Sequence, residues 1–131
     1  MIAVDTSSLY AILFGEPDAD LYDEALFQAE AIMIGAPTAF EFLMVAEGRR
    51  DFFVRQEAER LLNIPKMTIV PWDEEKITLA LDAFSRFGKG SGHGAGLNFG
   101  DCMSYALAKA LDLPLLYKGG DFARTDIAAA I

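Results

Sequence analysis

The sequence predicts an α/β protein, a three-layer α/β/α sandwich around a short parallel β-sheet. Short apolar segments alternate with helical segments along the 131 residues, as in chains whose parallel strands are joined by helices. The predicted strands are apolar throughout, which is expected when helices cover both faces of a sheet. The glycine-rich segment 87–98 could be a linker between two domains, but neither flank would fold well alone. We therefore predict a single domain over residues 1–131.

The predicted elements follow one another without repeats or low-complexity tails. Strands are predicted at 2–4, 32–35, 67–70 and 114–117. Helices are predicted at 9–14, 17–30, 37–48, 49–62, 73–87 and 97–110. The hydroxyl residues Thr6, Ser7 and Ser8 are expected to cap the first helix, and Pro37 suits the first position of the third.

Two segments are predicted as irregular. Residues 87–98 hold five of the eleven glycines, which favours a flexible loop. Residues 119–127, GGDFARTDI, are expected to form a loop and a short helix.

The composition excludes several classes of protein. A net charge of −9 argues against partners held by a broad basic surface, such as duplex DNA or an anionic membrane. There is no apolar run long enough for a membrane span, no basic leader segment, and one cysteine, Cys102. We expect a cytosolic protein. A phosphate substrate stays compatible if a bound cation meets its charge.

Three aspartates stand where predicted helices begin. Asp5 ends the first strand, Asp121 follows the fourth, and Asp101 opens the helix before the fourth strand. An aspartate at such a position caps free N–H groups and complements the helix dipole, so capping alone explains each one. Ligands of such folds bind beyond the carboxyl ends of the strands. Topology places Asp101 there only if the loop 87–98 doubles back.

Glu41 is harder to explain as a structural residue. It lies inside a predicted helix among Phe40, Phe42, Leu43, Met44 and Val45. A helix that is apolar on all sides is buried, and a buried glutamate needs a cation, a partner or a proton. No lysine or arginine lies three or four residues away. The alternatives are a salt bridge to a distant arginine, or a narrow solvent stripe shared with Thr38 and Glu47.

A set of carboxylates without nearby histidines or cysteines suits a hard cation such as Mg²⁺. The cation would also relieve the repulsion between crowded carboxylates. Such a site favours phosphoryl chemistry, because the metal stabilises charge on phosphate oxygens and helps to ionise a water molecule.

Four segments carry a family resemblance: AVDTSSL, the helix with Glu41, LNFGDCMSYALAKA and LLYKGGDFARTDI. In this order, over nearly the whole chain, they resemble PIN-domain ribonucleases and, more narrowly, the VapC toxins of bacterial toxin–antitoxin pairs. The pairing of LNFGDC with KGxDF is specific, whereas D-T-S alone would be weak.

The resemblance implies an acidic quartet that binds the metal and is catalytic: Asp5, Glu41, Asp101 and Asp121. It also implies a supporting hydroxyl at Thr6, and a loop 87–98 that does double back. One mild departure is Gly120, where close relatives often carry another acid or an asparagine; the quartet stays intact.

The resemblance further implies a cofactor and partners. We expect Mg²⁺, or Mn²⁺ in its place, an RNA substrate and a cognate antitoxin protein. A homodimer is also expected, with apolar faces such as Leu9, Leu13 and Phe14 offering surface for it.

Basic residues give weaker signals. Lys118 and Arg124 flank Asp121 and are the better candidates for contacts with substrate phosphate. A second basic cluster comprises Arg49, Arg50, Arg55 and Arg60. It is either a solvated face paired with Glu57 and Glu59 or an RNA-backbone contact. His93 is expected to be an exposed loop residue.

Two other functions agree with parts of the sequence. A phospho-acceptor receiver domain has similar length, acidity and architecture, but it needs a pair of acids after the first strand and an aspartate acceptor after the third. Here the first strand offers Asp5 alone, and the third ends in VPWDEE, which looks like a helix start. An inactive PIN-like binding module is the third candidate, against which the retained acidic quartet counts.

Overall fold

The computed structural model describes all residues from Met1 to Ile131. Four parallel strands form one sheet in the order β3-β2-β1-β4. The strands are β1 (Ile2–Val4), β2 (Ile32–Gly35), β3 (Met67–Val70) and β4 (Leu115–Leu116). The helices are α1 (Thr6–Leu13), α2 (Ala19–Gln28), α3 (Ala36–Gly48), α4 (Phe52–Leu62), α5 (Glu74–Phe87) and α6 (Phe99–Leu111).

The helices cover both faces of the sheet. One buried cluster packs the four helices α1, α2, α3 and α4 against one face of the sheet, and it includes Leu9, Ile34 and Phe42. A second cluster joins α5 and α6 with the other face, and includes Tyr105 and Leu107. Burial on both faces explains why the strands are apolar throughout. The predicted three-layer α/β/α architecture is confirmed.

The two edges of the sheet differ. At the β4 edge, residues 128–130 add main-chain hydrogen bonds, with Leu115 N donating to Ala128 O and Ala130 N donating to Leu115 O, both at 2.9 Å. At the other edge, β3 pairs with β2 alone. That strand is four residues long and stands between Pro65 and Pro71.

The glycine-rich segment doubles back, as the family resemblance implies. Lys89 N donates to Leu97 O at 2.9 Å, and Leu97 N donates to Phe87 O at 2.8 Å. These bonds return the chain to the end of α5 before α6 begins. They bring the first turn of α6 close to the carboxyl end of β1.

Several local predictions were wrong. Asp5, instead of a hydroxyl residue, caps α1, with its carboxylate accepting from Ser7 N at 3.0 Å. Asp51 caps α4, which therefore begins at Phe52 and not at residue 49. Residues 119–127 form turns and bends but no helix, and within them the carbonyl of the buried Phe122 accepts from the Thr125 hydroxyl at 2.7 Å. No helix is long and apolar enough to cross a membrane.

Candidate metal site and active site

Three aspartates from distant segments meet beyond the carboxyl ends of β1 and β4. Asp5 follows β1 and is 4% exposed, and Asp101 lies in the first turn of α6 and is 9% exposed. Asp121 lies on the exposed turn after β4. The charges of Asp5 and Asp121 both act on the Asp101 carboxyl group, so the three side chains lie near one another. The structure therefore brings these three predicted residues together.

The pKa of Asp101 is raised by its burial and by the neighbouring carboxylates. The pKa is raised from 3.8 to about 7, first by burial and then by the negative charges of Asp5 and Asp121, while a hydrogen bond from Asn98 N lowers it. The protein supplies no cation here, since none of these three aspartates forms a salt bridge. A positive charge placed among them would favour their ionised forms.

Glu41 joins the group from α3. It is half-buried, accepts from Thr6 Oγ1 at 3.2 Å, and has a raised pKa because of burial and the charge of Asp5. It has no arginine or lysine partner, so a distant salt bridge does not explain it. The expectation that α3 is buried on all sides was wrong, because Phe40 is 68% exposed. The hydroxyl predicted at Thr6 supports Glu41.

Gly100 allows Glu41 to reach the first turn of α6. A Cβ atom built on Gly100 would stand 2.6 Å from Glu41 Oε2, closer than real contacts allow. Sequence reasoning noted this glycine only as part of a motif. Its contact with Glu41 joins residues 59 positions apart in the chain, so no local pattern could have revealed it.

Hydroxyl groups hold the Asp5 carboxylate in one orientation. Oδ2 accepts from Ser7 Oγ at 2.6 Å, and Oδ1 accepts from Ser104 Oγ at 2.5 Å. Ser7 Oγ also accepts from Lys118 N at 2.9 Å, which ties the segment after β4 to the same carboxylate. Ser8 Oγ donates to the Asp5 carbonyl oxygen at 2.9 Å. The sequence predicted Ser7 and Ser8 as caps of the first helix and Ser104 within the helix 97–110, but did not connect them with the Asp5 carboxylate.

Helix capping and site formation coexist at two of the aspartates. Asp5 caps α1, and Asp101 accepts from Asn98 N at 3.0 Å in a reciprocal capping box. Asp121 begins no helix, so capping does not account for it. The burial of Asp5 and Asp101 beside each other exceeds what a surface cap requires.

The basic residues divide into paired and unpaired groups. Lys118 Nζ contacts Asp18 at 2.8 Å and Glu16 at 3.3 Å, so its charge is already used within the chain. Arg124 Nη1 donates to Gly94 O at 3.3 Å, joining the glycine-rich segment to the turn with Asp121. His93 is exposed, as expected.

The cluster on α3 and α4 is partly a solvated, paired face. Arg55 pairs with Glu47 and Glu59, and Arg60 pairs with Glu57. Two arginines remain outside ion pairs. Arg49 lies over the Phe14 ring at 4.1 Å, and Arg50 extends into solvent.

The donor chemistry of the acidic quartet fits a hard divalent cation. All its side-chain donors are carboxylate oxygens, the type that Mg²⁺ and Mn²⁺ prefer. Two of the carboxylates are buried next to each other without a positive partner, which is costly unless a cation or proton compensates. The side chains do not form a closed shell, because no three of them are arranged to hold an ion as they stand. The quartet therefore fits a divalent cation in the type and the charge of its donor atoms.

Comparison with known proteins identifies the family of the chain. The PIN domain profile matches residues 2–128. Ribonuclease VapC28 of Mycobacterium tuberculosis is 41% identical over 128 residues, which cover 98% of this chain and 96% of that protein. The crystal structure of VapC20 from the same organism, a sarcin–ricin loop cleaving toxin, has a TM-score of 0.78 at 15% identity, covering 98% and 97% of the two chains.

A toxin–antitoxin complex from Klebsiella pneumoniae has a TM-score of 0.73 at 18% identity, covering 96% of this chain and 93% of that one. At these identities the two solved structures show a shared fold. The chain belongs to the PIN domain family. Within that family, its full-length similarity to VapC28 places it among the VapC ribonucleases, which confirms the predicted family and enzyme class.

Proposed function

We propose that this protein is the toxin of a toxin–antitoxin pair, a Mg²⁺-dependent endoribonuclease that cleaves RNA phosphodiester bonds. The metal-binding and catalytic residues would be Asp5, Glu41, Asp101 and Asp121. The observation that carries the proposal is the meeting of Asp5, Asp101 and Asp121, from three distant segments, with no cation supplied by the chain. Mn²⁺ is expected to replace Mg²⁺, since both accept oxygen ligands.

The chain itself supplies fixed anionic ligands. Asp5 is held by hydroxyls on both oxygens, Asp101 by the N-cap of α6, and Glu41 by Thr6. When bound, the cation would stabilise negative charge on the phosphate and lower the pKa of a water molecule. Asp121, on an exposed turn, would be the ligand nearest to solvent and to an incoming RNA strand.

Contacts with the RNA backbone are expected from basic side chains near the acidic quartet. Arg124 is the stronger candidate, because its only hydrogen bond is to a backbone carbonyl at 3.3 Å. Lys118 is the weaker one, because Glu16 and Asp18 already neutralise it. Arg49 and Arg50 are further candidates, whereas Arg55 and Arg60 are paired.

The receiver-domain alternative is wrong. Family membership excludes it, and the aspartate after β3 has a structural role: Asp73 caps α5, accepting from Lys76 N at 3.2 Å and pairing with Lys76 Nζ at 3.1 Å. An inactive PIN-like module gains no support, since all four members of the quartet are present. We also propose that residues 1–131 act as a single PIN domain.

The proposed partners are an antitoxin and a second copy of the chain. The related fold in a toxin–antitoxin complex supports the first. Exposed apolar side chains support the second, although they lie elsewhere than expected. Leu9 is fully buried in the core, whereas Ile77, Leu81 and Phe84 on α5 are 47% to 67% exposed.

The test of the metal mechanism is cleavage of structured RNA with and without chelator. Excess EDTA should abolish cleavage, and Mg²⁺ or Mn²⁺ should restore it. Ca²⁺ should support it poorly, because its coordination shell is larger and looser. Cleavage that persists in excess chelator would overturn the proposal.

A further inference from the structure

Ser104 is a fully buried serine on α6 whose hydroxyl donates to Asp5 Oδ1 at 2.5 Å. The two residues are 99 positions apart in the chain. No other side-chain hydrogen bond of Ser104 occurs in the structure. A buried hydroxyl needs a partner, but satisfying a hydroxyl does not require the carboxylate at the centre of a site.

The position of Ser104 relative to Asp101 gives this bond a second consequence. The two residues lie three apart on the same helix, so their side chains share one face. The hydrogen bond therefore ties the helical turn that carries Asp101 to the strand end that carries Asp5. It sets the separation of the two buried carboxylates.

Ser7 completes the arrangement from the opposite side. Its hydroxyl and its N–H hold Asp5 Oδ2 at 2.6 and 3.0 Å, while Ser104 holds Oδ1. With donors on both oxygens, the carboxylate plane of Asp5 is fixed before any ligand arrives. Removing the Ser104 donor would leave Oδ1 free and let the carboxylate turn about its bond to Cβ.

We infer that Ser104 is a positioning residue of the metal site, which holds Asp5 in register with Asp101 through the hydrogen bond to Oδ1. The inference rests on the proposed function and deepens it, since Ser104 itself would touch neither metal nor RNA. Groups that orient metal ligands in this way typically change metal affinity or activity by about 10- to 100-fold when they are removed.

The experiment compares three variants with the unaltered protein. Ser104→Ala removes the hydroxyl, and Ser104→Cys keeps the shape of the side chain, with a somewhat larger atom, but offers only a weak donor. Ser8→Ala is the matched control, because Ser8 is also fully buried and also bonded to Asp5, but through the backbone carbonyl oxygen. The readout is Mn²⁺ affinity, from the electron paramagnetic resonance signal of free Mn²⁺, together with kcat and KM for RNA.

We expect Mn²⁺ binding to weaken about 10- to 100-fold in both Ser104 variants, with kcat reduced and KM for RNA unchanged. Ser8→Ala should lose thermal stability but keep the Mn²⁺ affinity. Unchanged affinity in Ser104→Ala, or a loss in Ser104→Ala that Ser104→Cys does not share, would assign Ser104 to packing and overturn the inference alone. Unaltered protein that binds no Mn²⁺ would overturn the proposed metal site as well.

Discussion

The carboxylate of Glu41 lies directly against the backbone of Gly100, with Oε2 2.6 Å from the place where a Cβ atom would stand. Gly100→Ala should therefore displace Glu41 from the acidic quartet and reduce RNA cleavage. The fold should survive, because alanine favours a helix by about 1 kcal/mol over glycine. Loss of cleavage with an equal or higher melting temperature is the expected result.

Gly48→Ala is the control for this variant. Gly48 is the last residue of helix α3, and a Cβ atom built on it would meet nothing within 4 Å. It should gain stability without losing activity. Full cleavage by Gly100→Ala would show that Glu41 can move without consequence.

Asp5→Asn and Asp101→Asn should each abolish cleavage while leaving the fold intact. Asparagine caps a helix about as well as aspartate, so α1 keeps its cap in Asp5→Asn, and the N-cap of α6 is Asn98, which Asp101→Asn leaves in place. The charge that a cation requires is lost, and cleavage should fall by more than the roughly 100-fold that a supporting residue costs. Cleavage assays and circular dichroism measure the two effects separately.

Asp51→Asn provides the comparison for capping alone. Asp51 caps α4, where its carboxylate accepts from Phe53 N at 2.9 Å; it is exposed and is not a member of the acidic quartet. It should leave cleavage unchanged. If all three variants retain near-normal rates, the aspartates at 5 and 101 are helix caps and nothing more.

Much of the fold follows from local patterns in the sequence, because short apolar runs and caps specify strands and helices directly. The proposed quartet rests on residue type and on the family resemblance of the motifs that carry it. What could not be predicted depends on contacts across the chain. The contacts of Ser104 with Asp5 and of Gly100 with Glu41 form only where α6 meets β1 and α3, and residues 119–127 form turns where a short helix was expected.

The protein should self-associate through α5 and not through Leu9, Leu13 and Phe14. An apolar groove of about 570 Å³ is lined by side chains of α5 and α6, among them Leu81, Phe84 and Phe99. Leu81→Arg places a charge on a side chain that is 67% exposed, so the fold should persist. Sedimentation at micromolar concentration should show a dimer for the unaltered protein and a monomer for this variant.

Leu21→Arg is the matched control, since Leu21 is 55% exposed on α2, away from the groove. It should remain dimeric. An unaltered protein that sediments as a monomer would contradict the expected homodimer.

The antitoxin should silence the enzyme by placing a basic side chain in the acidic quartet. We expect an apolar helix of the partner to dock between the early helices, and an arginine to pair with two carboxylates at once. Replacing that arginine with alanine in the purified complex should restore part of the cleavage and raise the metal affinity. If neither changes, inhibition comes from blocked RNA access alone.

The edges of the sheet restrict how copies of the chain can meet. An unpaired strand edge is a template for another strand, and through it for aggregation. Here residues 128–130 occupy the β4 edge. The β3 edge offers four residues bounded by Pro65 and Pro71, and proline lacks the N–H that a ladder requires. Both edges are therefore poor templates for adding a strand from another chain, which favours contacts between copies of the chain through side chains on the helices.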